Sequence, residues 1–570
     1  MPAMPRPSRS FAPDGAQTVT LDDGRIAHAA HVDQSEFVRR EMYEVRPGVW
    51  SLVGNGLSNQ SFVEGPDGII AIDTGESNQE MGEALDELAR VTDRPVVAVL
   101  YTHFHYVGGT QEVIDRFGDV PIYGHAGIDP NRARTASVIS PAYGRGLVEQ
   151  FGITLPPDGP DGLVNVGLGH FYRNPAHAPF TVGYVSPTET FDDATTIKVA
   201  GLAIDVQPAP SDADDSVTFW FPSLGVAVNN LVWPVLFNVF AIRGEEYRDP
   251  RVLLTGLDHL HGLGAAHLVG AHGPPMSGAS EIARRVLGAR DAIQFLWDQT
   301  VRHTNRGATS AELAHLIQLP DPCDADPLTS EFYGVAEHHV RQIRTGLFGF
   351  FDGEAEQLFP VEPVERAERL IAGFGGADVV RRQVDEAIDG DDLRWALQLA
   401  SWLARAENTQ EDRERLARAL RLVARRTSSA NVRNWCLTRA RHLDGSFPMD
   451  RYLTHRITAR AILADPAASI EALRVLVVPE RMRGLDVVIL WDFGESQAAL
   501  HVRNEVAVPL DPIGLTADAT LRLDPESWVE FVTGKTTLAR LIAYDRLQIE
   551  GRSDDAYAAI AGFDLSGSAR

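Results

Sequence analysis

Cysteine is nearly absent from this 570-residue chain. Cys323 and Cys436 are far apart and have no metal-ligand spacing. A disulfide framework and a cysteine zinc site are thereby excluded, and both thiols read as reduced and structural. Positive charge is also short: 52 Lys and Arg stand against 78 Asp and Glu, a net charge of −26. An acidic balance of this size argues against nucleic acid or an anionic membrane as partner, while leaving room for a local cationic pocket. No apolar run reaches the roughly 20 residues of a membrane span. Met1 to Gln17 is rich in Pro, Ser and Arg and lacks an apolar signal-peptide core, so residues 1–34 are expected to form a flexible tail. A soluble, cytoplasmic protein without stable membrane association is expected.

What is present centres on Leu100-Tyr101-Thr102-His103-Phe104-His105-Tyr106-Val107-Gly108-Gly109. The apolar run Val96–Leu100 before it reads as a buried strand. Two histidines spaced His-x-His at the end of a strand put both imidazoles on one side, within reach of one ion. A second candidate ligand, His272, sits in Gly270-Ala271-His272-Gly273-Pro274 after another apolar run. An acidic loop, Ser211-Asp212-Ala213-Asp214-Asp215, offers carboxylates, or is a solvated turn.

Length alone suggests about three or four domains. Paired strands are expected over 47–75, an amphipathic helix over Met81–Val91, and a loop-rich insertion over 111–200. From about 280 to 440 the hydrophobic period is helical throughout. After Gly445, helices over 455–475 precede strands over 486–491 and 498–502, an α+β pattern. Gly534-Lys535-Thr536-Thr537 imitates the end of a phosphate loop. Val529 stands where its first glycine belongs and a helix precedes it, so nucleotide binding is rejected.

Several segments together resemble the zinc-dependent, metallo-β-lactamase-fold (type III) alkylsulfatases: Val45-Arg46-Pro47-Gly48-Val49-Trp50, Arg94 through His103, Ala241-Ile242-Arg243-Gly244, Ala271-His272-Gly273-Pro274, and Asp298-Gln299-Thr300 with Asn305-Arg306-Gly307. The resemblance implies an α/β fold. An αββα metallo-β-lactamase sandwich over 35–278 would be followed by an all-α dimerisation domain over 279–444 and a sterol-carrier-like α+β domain over 445–570. It implies a homodimer, zinc, and an amphiphilic anionic ester as substrate.

The same resemblance exposes departures. The family pattern is His-x-His-x-Asp-His; His103 and His105 match its start, and nothing matches its Asp and third His. Of two family glutamates, one falls near Asp212. The other, which bridges two metals, falls at Val228-Asn229-Asn230, where Asn is a poor bridge. The surviving set His103, His105, Asp212 and His272 suits one Zn²⁺ with an open position. Arg243 matches the sulfate-gripping arginine; the bland alternative is a salt bridge to Glu245 or Glu246. Tyr143 matches a position near the sulfate, Arg145 adds a cation, and Asp73 orients the metal loop. Tyr106 and Trp233 are expected to fill volume left by a second metal, and His170 or His177 to be surface histidines or a substitute ligand. Two functional expectations follow. One is a metal-dependent hydrolase of an amphiphilic sulfate or related anionic ester at a mononuclear site. The other is an inactive or repurposed lipid- or anion-binding dimer.

Overall fold

The structure is a computed structural model and describes residues 4–5, 8–12, 14–135, 138–449 and 458–565. The chain divides into two compact units, residues 1–132 with 146–447, and residues 133–145 with 448–570.

Two sheets make the first unit. One has seven strands in chain order, from Glu41–Arg46 through Gln60–Gly65, Gly68–Ile72 and Val96–Leu100 to Ile122–His125 and Glu189–Phe191. The other has six, from Thr195–Val199 through Leu202–Pro208, Val217–Phe221, Val226–Asn229 and His267–Gly270 to Met276–Ser277. Strand alternation builds the layers. Ile70 and Ile72 face inward and meet Val206, Phe219 and Val228 of the other sheet. Ile69 and Ala71 face outward and pack on Met81 and Leu85 of the helix Asn78–Leu88. On the far side, Ala227 and Leu268 pack on the helices Pro250–Gly262 and Ala279–Thr304. The result is the αββα sandwich implied by the resemblance.

Helices continue from Ser310–Leu316 through Ala336–Phe348, Pro363–Gly373, Ala377–Asp389, Leu393–Ala406 and Gln410–Arg426 to Ala430–Leu443. In the second unit, Asp486–Asp492 lies at the centre of a five-stranded sheet. A core around Trp491 and Trp528 packs the sheet on helices such as Pro525–Val532. The helical start expected at 455 falls partly outside the described residues; the helices Ala459–Ala464 and Pro466–Glu471 follow.

Two expectations need correction. Residues 1–34 are not a tail throughout: Thr18–Thr20 pairs with Ile26–His28, and the helix Ala29–Phe37 follows. The reason is non-local. Arg433 Nη2 donates to Ile26 O at 3.0 Å, and Asn165 Nδ2 donates to His31 O at 2.8 Å, bonds that local periodicity cannot announce. The stretch 111–200 is less loop-rich than expected. It holds the helices Thr110–Phe117, Ile128–Thr135 and Ser140–Gln150 and the strands Ile122–His125 and Glu189–Phe191.

One buried carboxylate ties the loops at the sandwich edge. Glu80 accepts from Gln60 Nε2 at 2.8 Å and from Glu76 N at 3.1 Å. A Cβ at Gly56 or Gly75 would lie within 2.4 Å of its Oε1 and displace it, and Gly75 also holds φ 71°, a conformation that favours glycine.

Candidate metal centre

Strands Gly68–Ile72 and Val96–Leu100 run parallel, as do Val226–Asn229 and His267–Gly270. Asp73, Thr102-His103, Asn230 and His272 follow their C-terminal ends, where ligands gather in α/β sheets. Three donor residues converge there: His103, His105 and Asp212. Asp212 Oδ2 lies 3.1 Å from His105 Nδ1 and Oδ1 lies 3.8 Å from His103 Nε2. A tetrahedral shell at about 2.1 Å has corners roughly 3.4 Å apart, so these separations suit one ion. His103 Nε2 is buried with no hydrogen-bond partner. A buried, unpaired nitrogen is costly, and a cation satisfies it. Two histidines and a carboxylate, with one position left over, is the donor set of a catalytic zinc.

The tautomer of His103 is set from behind. Thr102 N–H donates to Asp73 Oδ1 at 2.8 Å and its hydroxyl donates to Oδ2 at 2.6 Å. With its hydrogen directed at the carboxylate, the hydroxyl accepts from His103 Nδ1 at 2.9 Å. His103 Nε2 therefore carries the lone pair. Burial pushes His103 down to about 3, so it stays neutral. Burial also pushes the Asp73 carboxyl up to about 7, against the two bonds from Thr102. Asp73 thus sits behind the donors, outside the cluster.

Asp212 is held from the other side. Asn230 Nδ2 donates to its Oδ1 at 2.6 Å and to Ser211 Oγ at 3.0 Å. Burial pushes the Asp212 carboxyl up, but His103 and His105 outweigh it and hold it well below the usual carboxylate range. For His105, burial works downward and the Asp212 charge prevails, raising it. Asn229 is committed elsewhere, donating to Val269 O and accepting from the amides of Leu231 and Val232.

His272 faces different partners. Its Nδ1 donates to Leu57 O at 2.9 Å, and its Nε2 lies 3.3 Å from the Tyr106 hydroxyl, whose proton it accepts. It lies outside the three-residue cluster. Trp233 packs edge-on against His272, with ring centroids 5.1 Å apart, and its Nε1 donates to Asn230 Oδ1 at 3.0 Å. Tyr106 and Trp233 thus enclose His272.

The loop between the strand Val226–Asn229 and the helix Pro250–Gly262 brings charge to the centre. The carboxylate of Glu245 accepts from both Arg243 and Arg248, and its Oε1 lies 3.9 Å from His105 Nε2. Neither His170 nor His177 joins the cluster; His177 is buried against Glu83 at 3.2 Å. Tyr143 and Arg145 lie on the stretch 133–145, which groups with the second unit, so the geometry above is carried without them. Sequence reading missed Thr102 and Arg248, took Asn230 only as a poor bridge between metals, and treated Glu245 only as a neutralising neighbour. The clustering of charge in Arg243-Gly244-Glu245-Glu246-Tyr247-Arg248 was the available signal.

Residues 53–191 match the metallo-β-lactamase superfamily model, and residues 309–446 match that for alkyl sulfatase dimerisation. A linear primary-alkylsulfatase from Pseudomonas sp. is 30% identical over 524 residues, covering 88% of this chain and 98% of the relative. The chain belongs to the metallo-β-lactamase-fold alkylsulfatase family. An (R)-specific secondary-alkylsulfatase from Pseudomonas sp. is 26% identical, covering 90% of this chain and 79% of its own length. The solved structure of the stereoselective inverting sec-alkylsulfatase Pisa1 from Pseudomonas sp. superposes with a TM-score of 0.82 at 24% identity, over 99% of this chain and 92% of that one. That likeness extends the shared fold through the C-terminal α+β domain. Among the described residues one group of donors, His103, His105 and Asp212, is placed to hold a metal ion. Tyr106, Asn229 and Asn230 nearby are engaged by hydrogen bonds within the protein.

Proposed function

We propose that the chain is a metal-dependent hydrolase of an amphiphilic sulfate or related anionic ester, working with one zinc ion held by His103, His105 and Asp212. The observation that carries this reading is the convergence of these three donors, with His103 Nε2 buried and unpartnered, in a chain of the alkylsulfatase family. Zinc in such a site supplies Lewis acidity toward an ester oxygen and makes water more acidic. The chain's own residues do the rest. Asp73 and Thr102 keep the proton off His103 Nε2, Asn230 steadies Asp212, and Arg243 and Arg248 place positive charge beside the donors. Tyr143 and Arg145 are assigned to substrate binding on the resemblance alone.

In the same proposal the domains are a metallo-β-lactamase-like region over 35–278, a helical dimerisation region over 279–444 that pairs two copies, and a sterol-carrier-like region over 445–570 that takes the alkyl tail. A cytoplasmic setting fits the buried free thiols Cys323 and Cys436. No helix among the described residues is long and apolar enough to cross a membrane.

The test is release of inorganic sulfate from dodecyl sulfate by the full chain. Activity is expected to be lost with a chelator and restored by zinc. A zinc-loaded chain that releases no sulfate sinks the substrate class. A second reading, an amphiphile-binding family member without hydrolysis, is favoured by the Glu245 carboxylate already seated on Arg243.

A further inference from the structure

Beside the metal centre stands a fork of two cations that already holds an anion. The side chains of Arg243 and Arg248 are 7% and 4% exposed. Both guanidinium groups donate through Nη2 to the same oxygen, Glu245 Oε2. Gly244, at φ 86°, makes the tight turn that places Glu245 back over Arg243; its N–H donates to Ala241 O at 3.0 Å. Arg248 is fixed from the other side by donation to Asn238 O at 2.5 Å. The second oxygen of Glu245 is the one that lies 3.9 Å from His105 Nε2.

Two arginines meeting at one buried point form a strong oxyanion cradle, because each offers planar, charge-assisted donors. The cradle lies next to the donor cluster, on the side of His105. A free oxyanion placed there would face the metal. Glu245 occupies that position. The fork and its carboxylate together carry one net positive charge where the two arginines alone would carry two. A tethered carboxylate also competes at an effective concentration on the order of millimolar or higher, which dilute external anions do not match.

We propose that Glu245 is a built-in occupant of the oxyanion cradle and determines which head groups the site admits. A head group enters only by displacing the carboxylate from Arg243 and Arg248. Small tetrahedral oxyanions without an alkyl tail gain too little to do so. An amphiphile gains additional binding from its tail. The residue acts on specificity: it is neither a ligand of the cluster nor a member of the reacting set. The inference deepens the proposed hydrolysis and rests on that reading for the identity of the head group. Its test is therefore a binding measurement that does not need turnover.

The experiment is calorimetric titration of the full chain with sodium sulfate, with sodium chloride as the ionic-strength control. The proteins are wild type, Glu245→Ala, Glu245→Gln, and Glu245→Gln combined with Arg248→Gln. Wild type is expected to show no saturable sulfate binding below about 10 mM. Each single variant is expected to bind sulfate at least tenfold more tightly, and the double variant to lose most of that gain. Zinc content is expected to stay the same in all four. Equal sulfate affinity in wild type and the single variants overturns the proposal, as does loss of zinc on replacing Glu245. Saturable sub-millimolar binding by wild type overturns it without any variant, so the test survives misfolding of the alanine form. Tighter sulfate binding by Glu245→Gln with no dodecyl sulfate cleavage by wild type would uphold the role of Glu245 and reject the hydrolase.

Discussion

Replacing Asp73 by Asn should weaken zinc binding and stabilise the zinc-free protein at the same time. The side chains are nearly isosteric, but the proton relay reverses. In the native arrangement the Thr102 hydroxyl donates to Asp73 Oδ2 and accepts from His103 Nδ1–H. An Asn that keeps its oxygen on Thr102 N–H presents its amide nitrogen to the Thr102 oxygen. The hydroxyl proton then turns to His103 Nδ1, and the imidazole proton moves to Nε2, where zinc must bind. Disturbing a partner of this kind costs about 10- to 100-fold in metal affinity, about 1.4–2.7 kcal/mol. Stability moves the other way. The buried Asp73 carboxyl is pushed up to about 7 from an ordinary value of 3.8. Below pH 4 both folded and unfolded chains are protonated there and the group is neutral to stability. Between pH 4 and 7 the unfolded chain ionises first, so stability falls as pH rises, by about 4 kcal/mol above pH 7. Asn removes that cost. Zinc affinity is measured by competition with a chromophoric chelator at pH 7.5, and stability by urea unfolding in chelator at pH 4 and pH 8. Wild-type zinc affinity in Asp73→Asn would refute the relay. A zinc-free variant no more stable than wild type at pH 8 would refute the buried charge.

Glu80 gives a second pH signature. Burial pushes it up to about 8, with the Glu76 charge adding to the effect, so its contribution to stability is lost between roughly pH 4.5 and pH 8. Glu80→Gln should flatten that part of the urea-unfolding profile and gain about 2–4 kcal/mol at pH 9; an unchanged slope contradicts the assignment. Tyr106→Phe removes the proton that His272 Nε2 accepts and should cost about 1–2 kcal/mol in unfolding experiments, with zinc content unchanged. Zinc lost with the hydroxyl would show that Tyr106 belongs to the metal site.

Much of the centre was legible because its parts are local. The apolar run marked the strand that leads into the histidine loop, and Asp212 lay in a conspicuous acidic loop; the strand stops at Leu100, however, and His103 and His105 are brought together by the 3-10 turn Phe104–Tyr106, not by strand alternation. The partners of these residues were not legible, since they come from afar. Tyr106 meets His272 across 166 positions, and Asn230 reaches back 18 to Asp212. The ordered start of the chain escaped for the same reason. Its strands are three residues long, too short for a periodic signal, and they are held by residues some 400 positions away. From the sequence, Arg243 reads as either an anion site or a salt bridge to Glu245 or Glu246. In the folded chain it is a salt bridge built where an anion would bind.

The most direct test of the one-metal centre is elemental analysis of the purified full chain after saturation with zinc and removal of excess by dialysis. About one zinc per chain is expected for the wild type, falling to near zero in His103→Ala. Two per chain, or none, would contradict the site described by His103, His105 and Asp212.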